Sequence, residues 1–296
     1  MVSKYTSFWH KQAYVAVGFL AAAPLVVSTA IAPAQAHDDT EYYIGLDGLQ
    51  VLSSGTYAGL DNPNYNRLTF LSAHREANPA SNHFHGIGTY SYLGAVDSPS
   101  INSTSANNRI PETYTGIPPL KLLPGTGIYS GRLISSDTHE EYSNLNIQSI
   151  TSLAGALEED DQYLFNSSGG RWQSSLTGAT IGLQLLEISS GLNIANEAGE
   201  NILNSLGDIY TLGGGDDFSF TPTFWTQKTA TPGTYSATFK LVDLGTNNNL
   251  ESGTFSFDFR VEKVPEPSTT IALGFAGLLA LSISHLKKRT VKSLNS

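Results

Sequence analysis

Seven histidines and no cysteine decide which metal or acid–base chemistry this 296-residue chain can run. The densest group is Ala73-His74-Arg75-Glu76-Ala77-Asn78-Pro79-Ala80-Ser81-Asn82-His83-Phe84-His85. In an extended strand, residues i and i+2 share a face. His83 and His85 are therefore expected to point one way and Phe84 the other. Two imidazoles on one strand face can hold a zinc or copper ion, given further ligands from elsewhere. His74 lies one turn-containing loop upstream and can return to them. His139-Glu140-Glu141 offers another imidazole and two carboxylates, and His37 with Asp38 and Asp39 a further group. The metal set expected from the sequence is thus His74, His83 and His85, completed by His139, Glu140 or His37. Without thiolates such a set suits zinc, copper or nickel rather than magnesium or calcium. The plainer alternative is that the two histidines of the His-x-His lie on a solvated strand face and bind nothing.

Other constellations are weaker. Asp216-Asp217 after Gly213-Gly214-Gly215 lacks the spacing of a calcium loop, no Gly-Lys-Ser/Thr follows the glycines, and no G-x-S-x-G elbow occurs. The run reads as a glycine-rich turn. Glu158-Glu159-Asp160-Asp161 reads as a solvated acidic turn, and Trp172 and Trp225 as core or a ligand platform. The absence of cysteine excludes disulfides, thiolate zinc sites and thiol catalysis. A net charge of −10 argues against nucleic acid or anionic lipid as partner. Only 14% of residues are charged, so Ser, Thr, Asn and Gly solvate the surface. No catalytic residues are assigned, and the chain reads as a binding protein rather than an enzyme.

The elements that must carry these residues are mostly strands. His83 to Gly94 reads as a strand with a glycine interruption, and Gly127 to Ile134 as another. Gly233 to Val242 and Gly253 to Val261 alternate apolar and polar residues around a turn at Gly245 to Asn249, which marks a hairpin with one wet face. Ile147 to Leu157, with mixed spacing, and Ile181 to Leu206, with near-helical apolar spacing interrupted by three glycines, are the candidate helices. Ile110 to Pro124 reads as a proline-rich loop. The expected fold is mainly β: a β-sandwich-like domain over residues 37–263, with long loops and one or two short helices.

Both ends carry targeting patterns. Lys4 and Lys11 precede an apolar stretch from Ala13 to Val27, and Ala34-Gln35-Ala36 is an A-x-A site. Residues 1–36 thus read as a signal peptide cleaved between Ala36 and His37, with cleavage after Ala34 as the competitor and an uncleaved anchor as the alternative. At the other end Pro265-Glu266-Pro267 precedes an apolar run from Ile271 to Ile283 and then Lys287-Lys288-Arg289. A helix from Ser268 to Leu286 is just long enough to cross a bilayer. The basic cluster is expected to stay cytoplasmic with residues 290–296, leaving the domain outside.

The three-part pattern of residues 264–289 resembles the PEP-CTERM sorting signal of exported proteins in exopolysaccharide-producing Gram-negative bacteria, including cyanobacteria. That resemblance implies processing by an exosortase-type membrane enzyme. It also implies delivery to the cell surface or extracellular matrix after transient anchoring in the inner membrane. The phrases EYYIGLDGLQ, NHFHGIGTYSYLG, EYSNLNIQSI, YLFNSSGGRW and FWTQKTATPGTYSATFKLVDLG resemble a cyanobacterial family of PEP-CTERM proteins repressed by the zinc-uptake regulator. This implies expression under zinc starvation, a role in zinc capture or retention, and a metal transporter as partner. Copper is the less favoured metal. The alternative is a structural exopolysaccharide or surface-matrix protein whose histidines have no metal role.

Overall fold

The computed structural model describes residues 41–247 and 249–263. The signal peptide with Ala36 and His37, and the sorting motif Pro265-Glu266-Pro267 with the helix behind it, lie outside the described residues. Among the described residues no helix is long and apolar enough to cross a membrane.

The fold is mainly β, with one α-helix among the described residues. Strands β1 (Tyr42–Leu46), β2 (Leu68–His74) and β3 (His83–Ile87) pair in that order, antiparallel, and β3 ends the sheet. On the other side β1 pairs in parallel with Ile147–Ser149. A second sheet runs in the order Ile209–Gly214, Thr180–Ile188, Gly233–Asp243, Phe255–Val261 and Arg109–Ile110. A third is centred on Thr223–Gln227, flanked by Asn193–Ala195 and Arg132–Ile134.

The faces of these sheets share one core. Alternation places Tyr42, Ile44, Leu68, Phe70 and Ile87 of the first sheet on one side, all buried. They meet Phe255, Phe257 and Phe259 of the second sheet, where Phe70 stacks on Phe255 with ring centroids 4.1 Å apart. Phe224 of the third sheet lies 4.5 Å from Phe259 in the same aromatic cluster. With no disulfide available, this burial must carry the stability of the domain; each fully buried Phe contributes roughly 1.5–3 kcal/mol. On the opposite side of the first sheet Tyr43, Leu71, Ala73 and Phe84 form a smaller core with Ile150, Leu153, Leu164 and Trp172.

Four sequence expectations need correction. The stretch Ile181 to Leu206 is not helical; it holds Thr180–Ile188, Asn193–Ala195 and Asn201–Ile202 as strands, turned at Gly191 and Gly199. Ile147 to Leu157 is a short strand followed by a 3₁₀ turn. The helix, α1 (Glu159–Asn166), begins in the acidic run instead. Carboxylates in a first turn face the positive end of the helix dipole, so the run starts a helix rather than forming a solvated turn. Gly127 to Ile134 is strand only over its last three residues, because Gly131 adopts a left-handed φ of 82° just before them.

Candidate metal centre

The antiparallel register of β2 and β3 sets His74 directly opposite His83 and Ser72 opposite His85. By alternation these four continue the face that carries Phe70 and Ile87, so the imidazoles sit at the rim of the main core. Phe84 points the other way into the smaller core, edge-on to Tyr43 and Trp172. The loop between the two strands is tied down at several points. Arg75 reaches Asp161 at the start of α1, at 2.7 Å, and Glu41 at 3.2 Å. Asn82 donates to the Asp160 carbonyl and accepts from the Glu76 amide. The helix begun by the acidic run therefore anchors the hairpin that bears the histidines.

One nitrogen from each of His74, His83 and His85 can be chosen so that all lie within 4.8 Å of one another, a group able to hold a metal ion. The hydrogen bonds indicate which nitrogen is free on each ring. His83 Nδ1 is 2.9 Å from the Ser81 carbonyl, which can only accept, so that nitrogen carries the proton. His74 Nε2 lies 2.6 Å from Glu112 Oε2, and His85 Nδ1 lies 2.9 Å from Glu112 Oε1. Glu112 is fully buried. Burial alone would push its carboxyl up, but hydrogen bonds from His74, His85 and Asn107 hold it far below the usual carboxylate range. An ionised carboxylate only accepts, so both histidines donate to it. In neutral rings the lone pairs left over are His74 Nδ1, His83 Nε2 and His85 Nε2.

Two of these face each other: His83 Nε2 and His85 Nε2 are 3.1 Å apart. Lone pairs at that distance repel unless a proton or a cation lies between them. A zinc ion at 2.0–2.1 Å from each would subtend about 95–102° across this gap, near the tetrahedral value. Carboxylate-backed imidazoles are the usual outer arrangement of histidine metal sites, fixing the tautomer and raising ligand basicity.

Glu112 is the residue that sequence reasoning missed. It lies in the proline-rich segment, just after Ile110, which is buried and pairs in parallel with Phe257. Its Oε2 also accepts from Tyr142, at 3.0 Å, and from Tyr114 at 3.5 Å. The Tyr114 hydroxyl lies 2.9 Å from His85 Nδ1 as well. Burial, then the neighbouring Glu112 charge, pushes the Tyr114 phenol up to about 12. Burial and Glu112 raise Tyr142 further still.

Of the other expected ligands, His139 and Glu140 are placed elsewhere. Asp137 accepts from the His139 amide, and Ser143 closes the same turn onto Asp137 and the Glu140 carbonyl. That turn leaves the His139 side chain 78% exposed and outside the three-imidazole group. Glu140 lines a separate cavity of about 430 Å³ with Pro118, Ser135 and Arg260, which includes none of the three imidazoles. The turn contributes Tyr142 to the site instead. Asp216 is an acceptor hub: Ser175, Thr177, Thr151 and the Leu176 amide all donate to its carboxylate. Trp172 and Trp225 are both buried in the domain, each under an arginine.

Compared with known proteins, the chain matches no family model and no curated protein.

Proposed function

We propose that this is an exported zinc-binding protein that captures or retains the metal at the cell surface or in the extracellular matrix, and that it is not an enzyme. The observation that carries the reading is the hydrogen-bond pattern of the three imidazoles. Each has one nitrogen claimed by Ser81 or Glu112, which in neutral rings leaves one lone pair per imidazole, and two of these, His83 Nε2 and His85 Nε2, face each other at 3.1 Å. The choice of zinc rests on donor chemistry and on the resemblance of the chain to zinc-regulated surface proteins. A blue-copper site needs a cysteine thiolate and usually a methionine, and the chain has no cysteine and Met1 as its single methionine. Export rests on the signal-peptide and Pro-Glu-Pro patterns, with an exosortase-type enzyme as processing partner and a metal transporter as receiver of the cargo. The three sheets around a shared aromatic core support a β-sandwich-like reading of the domain.

Calorimetric titration of the purified protein with zinc tests the proposal. One equivalent should bind saturably, and the heat should vanish in the double variant His83→Ala/His85→Ala. Equal binding by a folded double variant would remove these residues from the site and the proposal with them.

A further inference from the structure

The proposed site raises a question of valence. Zinc in a closed structural site takes four protein ligands, whereas three leave a position for solvent. The three imidazoles are the whole of the group that converges among the described residues. Of the oxygen donors beside the group, the Ser72 hydroxyl, opposite His85, is buried without a hydrogen-bond partner, but a neutral serine hydroxyl is not among the usual protein ligands of zinc, and the Glu112 carboxylate is engaged. The two oxygens of Glu112 take hydrogen bonds from His74, His85, Asn107, Tyr142 and Tyr114. Turning either oxygen toward the metal would strip buried donors of their acceptor, at a cost of about 1–3 kcal/mol for each group left unpaired. The Tyr114 hydroxyl lies on the outer nitrogen of His85, away from the lone pair that would bind metal. His139 and Glu140 are held in their own turn. Solvent reaches the group, since the His85 side chain is 30% exposed and that of His74 12%.

We infer that a metal held by His74, His83 and His85 keeps a fourth, exchangeable coordination position, filled by water and open to small monodentate anions. This rests on the zinc-binding reading and deepens it. Three imidazoles are neutral donors, so the ion keeps its full positive charge and attracts an anion at the fourth position. The exchange is simple: water leaves as the anion enters, with no change of oxidation state. Such a position gives a receiving site a place to begin ligand exchange without first displacing a histidine.

The test uses the full chain, purified in detergent and loaded with one equivalent of cobalt(II), whose visible bands report coordination number and ligand type. Azide and thiocyanate are then titrated in. The expected result is a saturable, one-to-one change in the cobalt bands in the millimolar range, with the metal still bound after the anion is dialysed away. Bands that ignore both anions up to tenth-molar concentration would overturn the inference, because the fourth position would then belong to a protein donor. Loss of cobalt on adding anion would overturn it too, showing displacement rather than addition. Failure of the chain to bind cobalt or zinc at all would instead strike the zinc-binding reading itself. The His83→Ala/His85→Ala variant should show no anion-dependent band.

Discussion

Replacing Glu112 with glutamine tests the tautomer argument most directly. The carboxylate receives His74 and Tyr142 on one oxygen and His85 and Asn107 on the other. A glutamine amide offers an acceptor on one side only. If its oxygen faces His85 and Asn107, its NH₂ meets the N–H of His74, which must move its proton to Nδ1 or break the contact. If the amide is flipped, His85 meets the same conflict. In either orientation one of the three imidazoles loses its unprotonated nitrogen or its support. Losses of an outer-shell carboxylate typically cost 10–100-fold in metal affinity, about 1.4–2.7 kcal/mol. The same change appears in melting curves. At zinc a hundred times the wild-type Kd, binding stabilises the native state by about 2.7 kcal/mol, and in Glu112→Gln by only about 0.4–1.4 kcal/mol. For a domain of this size that is a zinc-induced rise of roughly 5–11 °C in the wild type and about 1–6 °C in the variant. Chelator competition gives Kd and differential scanning calorimetry gives the melting shifts. Tyr114→Phe serves as a control, since it leaves the carboxylate in place, and should stay within about threefold of wild type. A cooperatively folded Glu112→Gln protein whose zinc Kd lies within about twofold of wild type would refute the proposed division of labour between carboxylate and imidazoles.

Other expectations concern the frame around the site. Arg171 donates two hydrogen bonds to the fully buried Asp47, so Arg171→Ala should cost about 3 kcal/mol in urea unfolding. Its zinc affinity should be unchanged, and a shift in both quantities would show that the two regions are coupled. Gly88 has a φ of 65°, and a Cβ there would lie 2.0 Å from the Thr254 carbonyl; Gly88→Ala should destabilise by more than about 3 kcal/mol, a loss of soluble protein or of melting temperature. Burial would raise the Asp216 carboxyl, but hydrogen bonds from Ser175, the Leu176 amide, Thr177 and Thr151 outweigh it and lower its pKa. A lowered folded pKa gives stability that is present above the unfolded value of about 3.9 and is lost as pH falls through the folded one. Asp216→Asn should therefore be less stable than wild type at neutral pH and converge with it in acid; parallel pH–stability curves would contradict this.

How far the sequence could be read differs from one element to another. The His83-Phe84-His85 alternation was legible because strand geometry forces i and i+2 together, and the hairpin of Gly233–Asp243 with Phe255–Val261 for the same reason. The strand Thr180–Ile188 was obscured by irregularities in its pairing between Ile181 and Gly182 and between Leu185 and Glu187. The first skips Leu212 in the partner strand and leaves Ile181, Leu183 and Leu185 in phase; the second skips Leu186 within the strand, so the next residue packed on the same core is Ile188, a three-residue step that mimics a helix. Glu112 carries no local signal. A carboxylate becomes a buried acceptor only when Asn107, Tyr142 and the histidines are brought to it by the fold, and no spacing rule reaches across 27 to 38 residues. His139 looked equivalent to the other histidines in composition, but the hydrogen bonds of Asp137 and Ser143 decide where it goes.

Among the described residues, strand β3 has a strand partner on one side only. With two nitrogens on that strand and one on β2, an ion would act as a removable staple, fastening the outermost strand to its inner neighbour. Once the staple is drawn, β3 is expected to fray and offer its bare backbone as a template for another chain. Amide hydrogen exchange across His83–Ile87 should slow when zinc is added, and unchanged protection would count against the idea. If it holds, the ion would also tune how readily copies of the protein adhere to one another.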